Sequence, residues 1–121
     1  MNAVALYACS ALLLVTALVH SVLGERRLIA PLLHSRERIL GSDLARFLLR
    51  FVWHFMSVLF AVIAASLIAH QHDASSGRTV LLVGTAIGVG GAGILDAIGT
   101  RGRDIGWPLL VLMGAFALLA L

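Results

Sequence analysis

Residues Phe51 to Ala69 read FVWHFMSVLFAVIAASLIA, an apolar run that contains one histidine and no acidic or arginine side chain. At ~1.5 Å per residue, a helix of this length crosses most of a ~30 Å hydrocarbon core. Similar runs extend from Val4 to Leu23, from Val80 to Ile98 and from Ile105 to Leu121. We therefore predict an all-α fold, a four-helix transmembrane bundle forming one domain over 1–121, with helices at about 4–23, 47–69, 79–98 and 105–121.

Composition supports the same class of protein. The 121 residues are 60% hydrophobic and 12% charged, and their mean hydropathy is +1.02. A water-soluble domain of this size leaves much of its surface exposed and cannot bury so many apolar side chains. The single cysteine, Cys9, excludes an internal disulfide and a cysteine-based metal site.

The basic residues indicate orientation rather than nucleic-acid binding. All nine are arginines, and the net charge is +3. Only Arg78 lies between the second and third runs. The other eight lie between the first and second runs or between the third and fourth: Arg26, Arg27, Arg36, Arg38, Arg46, Arg50, Arg101 and Arg103. The positive-inside rule places these connections in the cytoplasm. We expect a protein of the bacterial inner membrane with both termini periplasmic, and no nucleic-acid partner.

The first connection has a pattern of its own. Apolar residues alternate with arginine and glutamate at roughly helical spacing, interrupted at Pro31: Leu28, Ile29, Leu32, Leu33, Ile39 and Leu40. This pattern predicts a short amphipathic interfacial segment between helices one and two, its arginines meeting anionic lipid headgroups. A plain solvated loop is the alternative.

Five polar side chains are predicted to lie at one depth near the cytoplasmic ends of the helices: His20, Glu25, Arg50, His54 and Asp96. Ionisable groups in a membrane face the bundle interior and pair with one another. One interpretation is a structural clamp in which Asp96 pairs with Arg50. The other is a site for a ligand or for proton relay.

Haem or a divalent metal is one form of the second interpretation. His20 and His54 would be the axial haem ligands, or the two histidines with Glu25 and Asp96 would hold the metal. No H-x-x-H or E-x-x-H spacing supports it within a single helix. The sequence also shows no nucleophile–base pair, so the balance is against an enzyme.

The third run contains Gly88-x-Gly90-x-x-Gly93, which formally matches a dinucleotide-binding fingerprint. That interpretation requires a preceding strand, whereas these glycines lie inside an apolar span. Gly84, Gly88 and Gly91 instead have the small-residue spacing that allows two helices to approach closely. We expect them to form a helix-packing face.

Two motifs carry a resemblance, His20-Ser21-x-x-Gly24-Glu25-Arg26 and Arg50-Phe51-x-Trp53-His54. With them the chain resembles a group of small, functionally uncharacterised bacterial four-helix integral membrane proteins. The resemblance covers the first two helices and implies no activity. Two functions remain open: a polar site that binds a ligand, metal, haem or proton, or a non-catalytic accessory or assembly subunit of a larger membrane complex. The short fourth run and the glycine face favour neighbours in the lipid bilayer, either other membrane subunits or copies in a homo-oligomer.

Overall fold

A computed structural model of the protein describes residues 3–35 and 38–121. This part of the chain consists of helices and short connections, with no strand, and confirms the all-α four-helix bundle. The helices are α1 (Ala3–His34), α2 (Asp43–His70), α3 (Ala74–Thr100) and α4 (Trp107–Leu119). A 3₁₀ turn, Arg38–Gly41, precedes α2.

Three of the helices, α1 to α3, are long and apolar enough to cross a membrane by length and composition. Helix α4 has 13 residues, which at ~1.5 Å per residue is ~20 Å and shorter than the hydrocarbon core. The structure therefore fits a membrane location with three full-length candidate spans beside one shorter apolar helix.

Helix α1 continues well beyond the predicted end at residue 23. The stretch His20–Ile29 is π-helical, and Ala30–His34 extends it as α-helix. At their junction the Ala30 N–H donates to the carbonyl of Glu25, five residues back. The wider π turn accommodates Pro31, which lacks an N–H and would clash with the carbonyl four residues earlier in an ordinary α-helix.

Part of the predicted amphipathic segment therefore belongs to α1. Its apolar side chains at Ile29, Leu33 and Leu40 are buried on one side, while Leu28, Leu32 and Arg38 are exposed. This burial pattern agrees with an amphipathic segment. Arg36, one of the predicted cytoplasmic arginines, lies outside the described residues.

The ends of the helices follow local chemistry. Ser42 caps α2, since its hydroxyl accepts the Ala45 N–H at 3.1 Å. Helix α3 ends at Thr100 because Arg101 and Gly102 both adopt positive φ, 56° and 72°. The Gly102 N–H then donates to the carbonyl of Ala97 at 2.8 Å, closing the last turn.

Helix α3 packs on its neighbours through two glycine faces. A Cβ on Gly84 would lie 2.7 Å from Val62 of α2, and one on Gly88 would lie 3.0 Å from Val58 of the same helix. A second face, at Gly90 and Gly93, lies against α4, where the backbones of Gly90 and Gly114 meet. Gly91, which the sequence analysis grouped with Gly84 and Gly88, instead faces open space, with nothing within 4 Å of its Cβ position.

At one end of the bundle lie the C-terminal ends of α1 and α3 and the N-terminal ends of α2 and α4. We call this the arginine end. Its helices touch where Trp53 covers Gly24 and where Phe47 covers Gly99. At the opposite end, Arg78 donates to the carbonyl of Ala120 at 3.3 Å, joining α3 to the end of α4.

Asp73 caps α3 at that opposite end. Its carboxylate accepts the hydroxyl groups of Ser75 and Ser76 and the Ser76 N–H, which hold the pKa of Asp73 well below its ordinary value of 3.8. A carboxyl group whose pKa is lowered by folding stabilises the fold above its ordinary pKa, and that stabilisation is lost as the pH falls through the folded value.

We expect Asp73→Ala to lower the thermal midpoint in detergent at pH 7, and the deficit to shrink as the pH falls below 3.8. The control, Asp73→Asn, keeps a capping side chain without the charge and should show a smaller deficit at pH 7. A deficit for the alanine variant that does not change with pH would contradict a role for the charged carboxylate.

Candidate functional site

A reciprocal clamp joins α1 to α2 at the arginine end. The rings of His20 and Trp53 stack with centroids 4.0 Å apart and planes at 13°. His20 Nε2–H donates to the Trp53 carbonyl at 3.1 Å, and Trp53 Nε1–H donates to the His20 carbonyl at 2.9 Å. Gly24 is buried one turn further along α1, and its lack of a side chain allows the indole to pack against the helix backbone. His20 therefore fixes the two helices against each other.

Beside this clamp, four polar side chains form a continuous chain, which we call the relay: Ser21, His54, Glu25 and Arg50. Ser21 Oγ lies 2.6 Å from His54 Nδ1, and His54 Nε2 lies 3.3 Å from Glu25 Oε2. The other carboxylate oxygen, Oε1, binds Arg50 at 2.6 Å. The relay alternates between α1 and α2, and so depends on both helices.

Helical spacing places these groups. Ser21 and Glu25 are four residues apart on α1, and Arg50 and His54 are four residues apart on α2, so each pair lies on one helical face. The π-helical stretch of α1 begins immediately before Ser21, and such stretches are frequent at functional sites. Continuation of α1 past Gly24 holds Glu25 against α2.

The partners of His54 indicate its tautomer. A carboxylate only accepts hydrogen bonds, so Nε2 carries the proton that points to Glu25. In the neutral ring, Nδ1 then accepts the Ser21 hydroxyl; in the protonated ring, Nδ1–H donates to Ser21 Oγ instead. Both states keep every hydrogen bond of the relay. The hydrogen bonds of the relay are thus compatible with either form of the His54 ring, provided that the Ser21 hydroxyl rotates.

Charge and exposure make the relay accessible. The side chains of Glu25, His54 and Arg50 are 24%, 39% and 49% exposed. Arg50 and the His54 ring lie at opposite oxygens of the single Glu25 carboxylate. The exposed guanidinium of Arg50 is the part of the relay that is best placed to meet a ligand.

Asp96 does not join this group. It is 1% exposed, forms no ion pair in the described part of the chain, and its Oδ1 has no hydrogen-bond partner there. Its side chain lines a cleft together with Asp104, which lies in the connection to α4. Arg50 pairs with Glu25 rather than with Asp96, so the clamp that the sequence analysis drew between Arg50 and Asp96 is absent from the described structure.

Protein groups bond the two histidines that the sequence analysis considered as metal or haem ligands. The described residues contain no cluster of three or more His, Cys, Asp or Glu side chains able to hold a metal ion. His20 Nε2 is bonded to the Trp53 carbonyl, and both ring nitrogens of His54 have protein partners. An axial haem ligand needs a free ring nitrogen aimed at the iron, and His54 has none in this arrangement.

Two adjoining clefts run along α2 and α3 next to the relay. The first, of about 600 Å³, begins at the arginine end and has Arg46, Arg50 and His34 at its polar edge. The second, of about 560 Å³, continues toward the middle of the bundle and is bounded by His54 and the open face at Gly91. Phe51 and Leu95 line both clefts.

Sequence reasoning missed several of these residues. Ser21, Gly24 and Trp53 lay in the quoted motifs but were given no role, and Arg46 was not among the candidate site residues. Their signal was the spacing of four between Ser21 and Glu25, which repeats that between Arg50 and His54. In the structure the two motifs face each other, and most of their named residues are in mutual contact.

The chain was also compared with known proteins. No protein-family model matches it, and neither a curated protein nor a solved structure matches it significantly.

Proposed function

We propose that this is a protein of the bacterial inner membrane, with the arginine end cytoplasmic, that binds an anionic ligand through Arg46 and Arg50 and takes up a proton at His54. The concentration of arginine at one end of the bundle supports this orientation. Both termini then face the periplasm.

The observation that carries the proposal is the charge at the edge of the first cleft. Arg46, Arg50 and His34 all line it, and no acidic residue among 3–35 and 38–121 does. Arg46 is exposed, forms no ion pair among the described residues, and is held in place because its Nε–H donates to the Leu40 carbonyl at 2.7 Å. Guanidinium groups bind carboxylates and phosphates by paired, charge-assisted hydrogen bonds.

The relay explains how anion binding would be linked to a proton. An anion that takes one face of the Arg50 guanidinium competes with Glu25 for it. The Glu25 carboxylate then loses part of the positive charge that Arg50 provides. His54 lies at the other carboxylate oxygen, and by binding a proton it replaces that positive charge. The Ser21 hydroxyl adapts by rotating from donor to acceptor.

Calorimetric titration of the purified protein in detergent tests this function, with hexyl phosphate as the probe. We expect saturable binding, and at about pH 8, above the ordinary range of histidine, uptake of a proton. The uptake is measured as the dependence of the apparent enthalpy on the ionisation enthalpy of the buffer. His54→Gln should retain binding but lose the uptake, whereas Arg46→Gln should weaken binding.

Arg78→Gln is the matched control because it removes an arginine from the opposite end of the bundle, and it should bind as the wild type does. Absence of binding by the wild type would overturn the proposal and leave the accessory-subunit alternative. Binding without proton uptake would contradict only the proposed role of His54 and would leave the anion site in place.

A further inference from the structure

The shape of the clefts indicates what kind of anion the site accepts. Building on the proposed function, we infer that the ligand is an anionic phospholipid of the cytoplasmic leaflet. Its headgroup lies at Arg46 and Arg50. One acyl chain lies along the two adjoining clefts, which together form one groove between α2 and α3. The inference rests on the length, lining and polarity of the two clefts together.

The groove has the length of an acyl chain. From Arg46 to Val58 it follows about three turns of α2, which is ~18 Å at ~1.5 Å per residue. One leaflet contributes about half of a ~30 Å hydrocarbon core, or ~15 Å. A chain whose headgroup stays at the arginine end would therefore fill the groove to its inner limit near Gly88.

The walls of the groove are smooth and apolar. On α2, Phe47, Phe51 and Phe55 form a row of stacked rings whose successive centroids are 5.9 Å apart. On α3, Gly91 presents bare backbone, because no atom lies within 4 Å of its Cβ position. Flat rings on one side and a missing side chain on the other leave a channel that suits a linear hydrocarbon.

The polarity changes along the groove as it does along a lipid molecule, from a charged end to an apolar end. The first cleft carries three basic side chains at its edge, whereas the second is lined by aliphatic and aromatic groups apart from His54. A free inorganic anion would use only the basic edge and leave the apolar half unfilled. An acyl chain with an anionic headgroup matches both halves, and the cytoplasmic leaflet supplies such lipids.

Native mass spectrometry of the wild type tests the inference after reconstitution into bilayers of equal parts phosphatidylglycerol and phosphatidylcholine and gentle release in detergent. We expect one phosphatidylglycerol retained in preference to phosphatidylcholine. Arg46→Gln, which leaves the relay intact, should reduce this preference about fivefold, since one arginine near anionic lipid contributes about 1 kcal/mol and 1.4 kcal/mol is tenfold.

Gly91→Phe tests the acyl chain separately. The ring should occupy the second cleft, so retention of the lipid should fall while binding of hexyl phosphate at the basic edge persists. The matched control is Leu81→Phe, which adds a ring at an exposed position of α3 outside both clefts. Thermal midpoints of both variants near that of the wild type will show that the fold is preserved.

The outcomes separate the two proposals. Loss of lipid retention in both Arg46→Gln and Gly91→Phe supports the inference. Loss of lipid retention in Arg46→Gln but not in Gly91→Phe overturns the acyl-chain inference and leaves an anion site at the arginine end. Failure of the wild type to bind either lipid or hexyl phosphate overturns both. A dimer that retains no lipid and dissociates on Gly91→Phe would show that a second copy of the chain fills the groove.

Discussion

Gly114→Ala should be among the most disruptive small substitutions in the bundle. A Cβ at Gly114 would lie 2.5 Å from the Cα of Gly90 and 3.1 Å from the carbonyl oxygen of Ala86, both on α3. Backbone atoms cannot rotate aside as a side chain can, so α4 must move away from α3. We expect a loss of about 1–3 kcal/mol in the free energy of unfolding, as for other overpacked sites.

The measurement is reversible unfolding in mixed micelles with increasing denaturing detergent, followed by circular dichroism. Gly91→Ala is the matched control, since it adds the same methyl group to α3 where nothing lies within 4 Å. Alanine also forms helix better than glycine by ~0.8–1.0 kcal/mol in peptides, so this variant should be neutral or more stable. Equal effects of the two substitutions would show that α3 and α4 do not pack as described.

The contrast between Gly91 and Gly114 shows how far the sequence alone can reach. Spacing identified α3 as a close-packing helix, and its contact with α2 through Gly84 and Gly88 agrees with that expectation. Spacing on one helix does not reveal which neighbour each residue meets. The second face, with Gly90 against Gly114, depends on how α4 lies on α3, which no local pattern encodes.

The end of α1 illustrates a different limit. Gly24 and Glu25 end the first apolar run, and so the first helix was predicted to stop at residue 23. The contact of Gly24 with Trp53 and the π-helical turn before Pro31 override these signals. Because the predicted helix stopped before Glu25, this residue was not assigned to a helical face, and its pairing with Arg50 could not be predicted.

The candidate site was therefore only partly predictable. Hydropathy and arginine placement brought Glu25, Arg50 and His54 to one end of the bundle, where the structure joins them. The same reasoning grouped Asp96 with them, because distance from a helix end says nothing about the direction in which a side chain points. Asp96 instead lines a cleft with Asp104, which lies in a connection whose path the sequence pattern does not define.

Gly24→Leu should have the largest effect on the site, although Gly24 carries no functional group. Even a Cβ at this position would lie within the Trp53 indole, 2.8 Å from both Cε2 and Nε1. Displacing the indole removes its hydrogen bond to the His20 carbonyl and the stacking of the two rings. Overpacking alone costs about 1–3 kcal/mol, and loss of the clamp adds to it.

The effect should spread to the relay because His54 follows Trp53 directly on α2. If the indole forces α1 and α2 apart, Ser21 and Glu25 withdraw from His54 together. We expect Gly24→Leu to lower the stability of the bundle in micelles and to abolish proton uptake on binding of hexyl phosphate. In a Trp107→Phe background, the emission of Trp53 should shift to longer wavelength as the indole becomes hydrated.

Gly41→Ala is the control for this experiment, since it lies in the 3₁₀ turn before α2 with nothing within 4 Å of its Cβ position. A second substitution distinguishes crowding at the clamp from a general defect of α1. Trp53→Phe removes the part of the ring that Gly24→Leu would overlap, so it should restore much of the lost stability to that variant while weakening the wild type. If Trp53→Phe instead weakens both proteins equally, Gly24 and Trp53 do not meet, and the relay is not held by this contact.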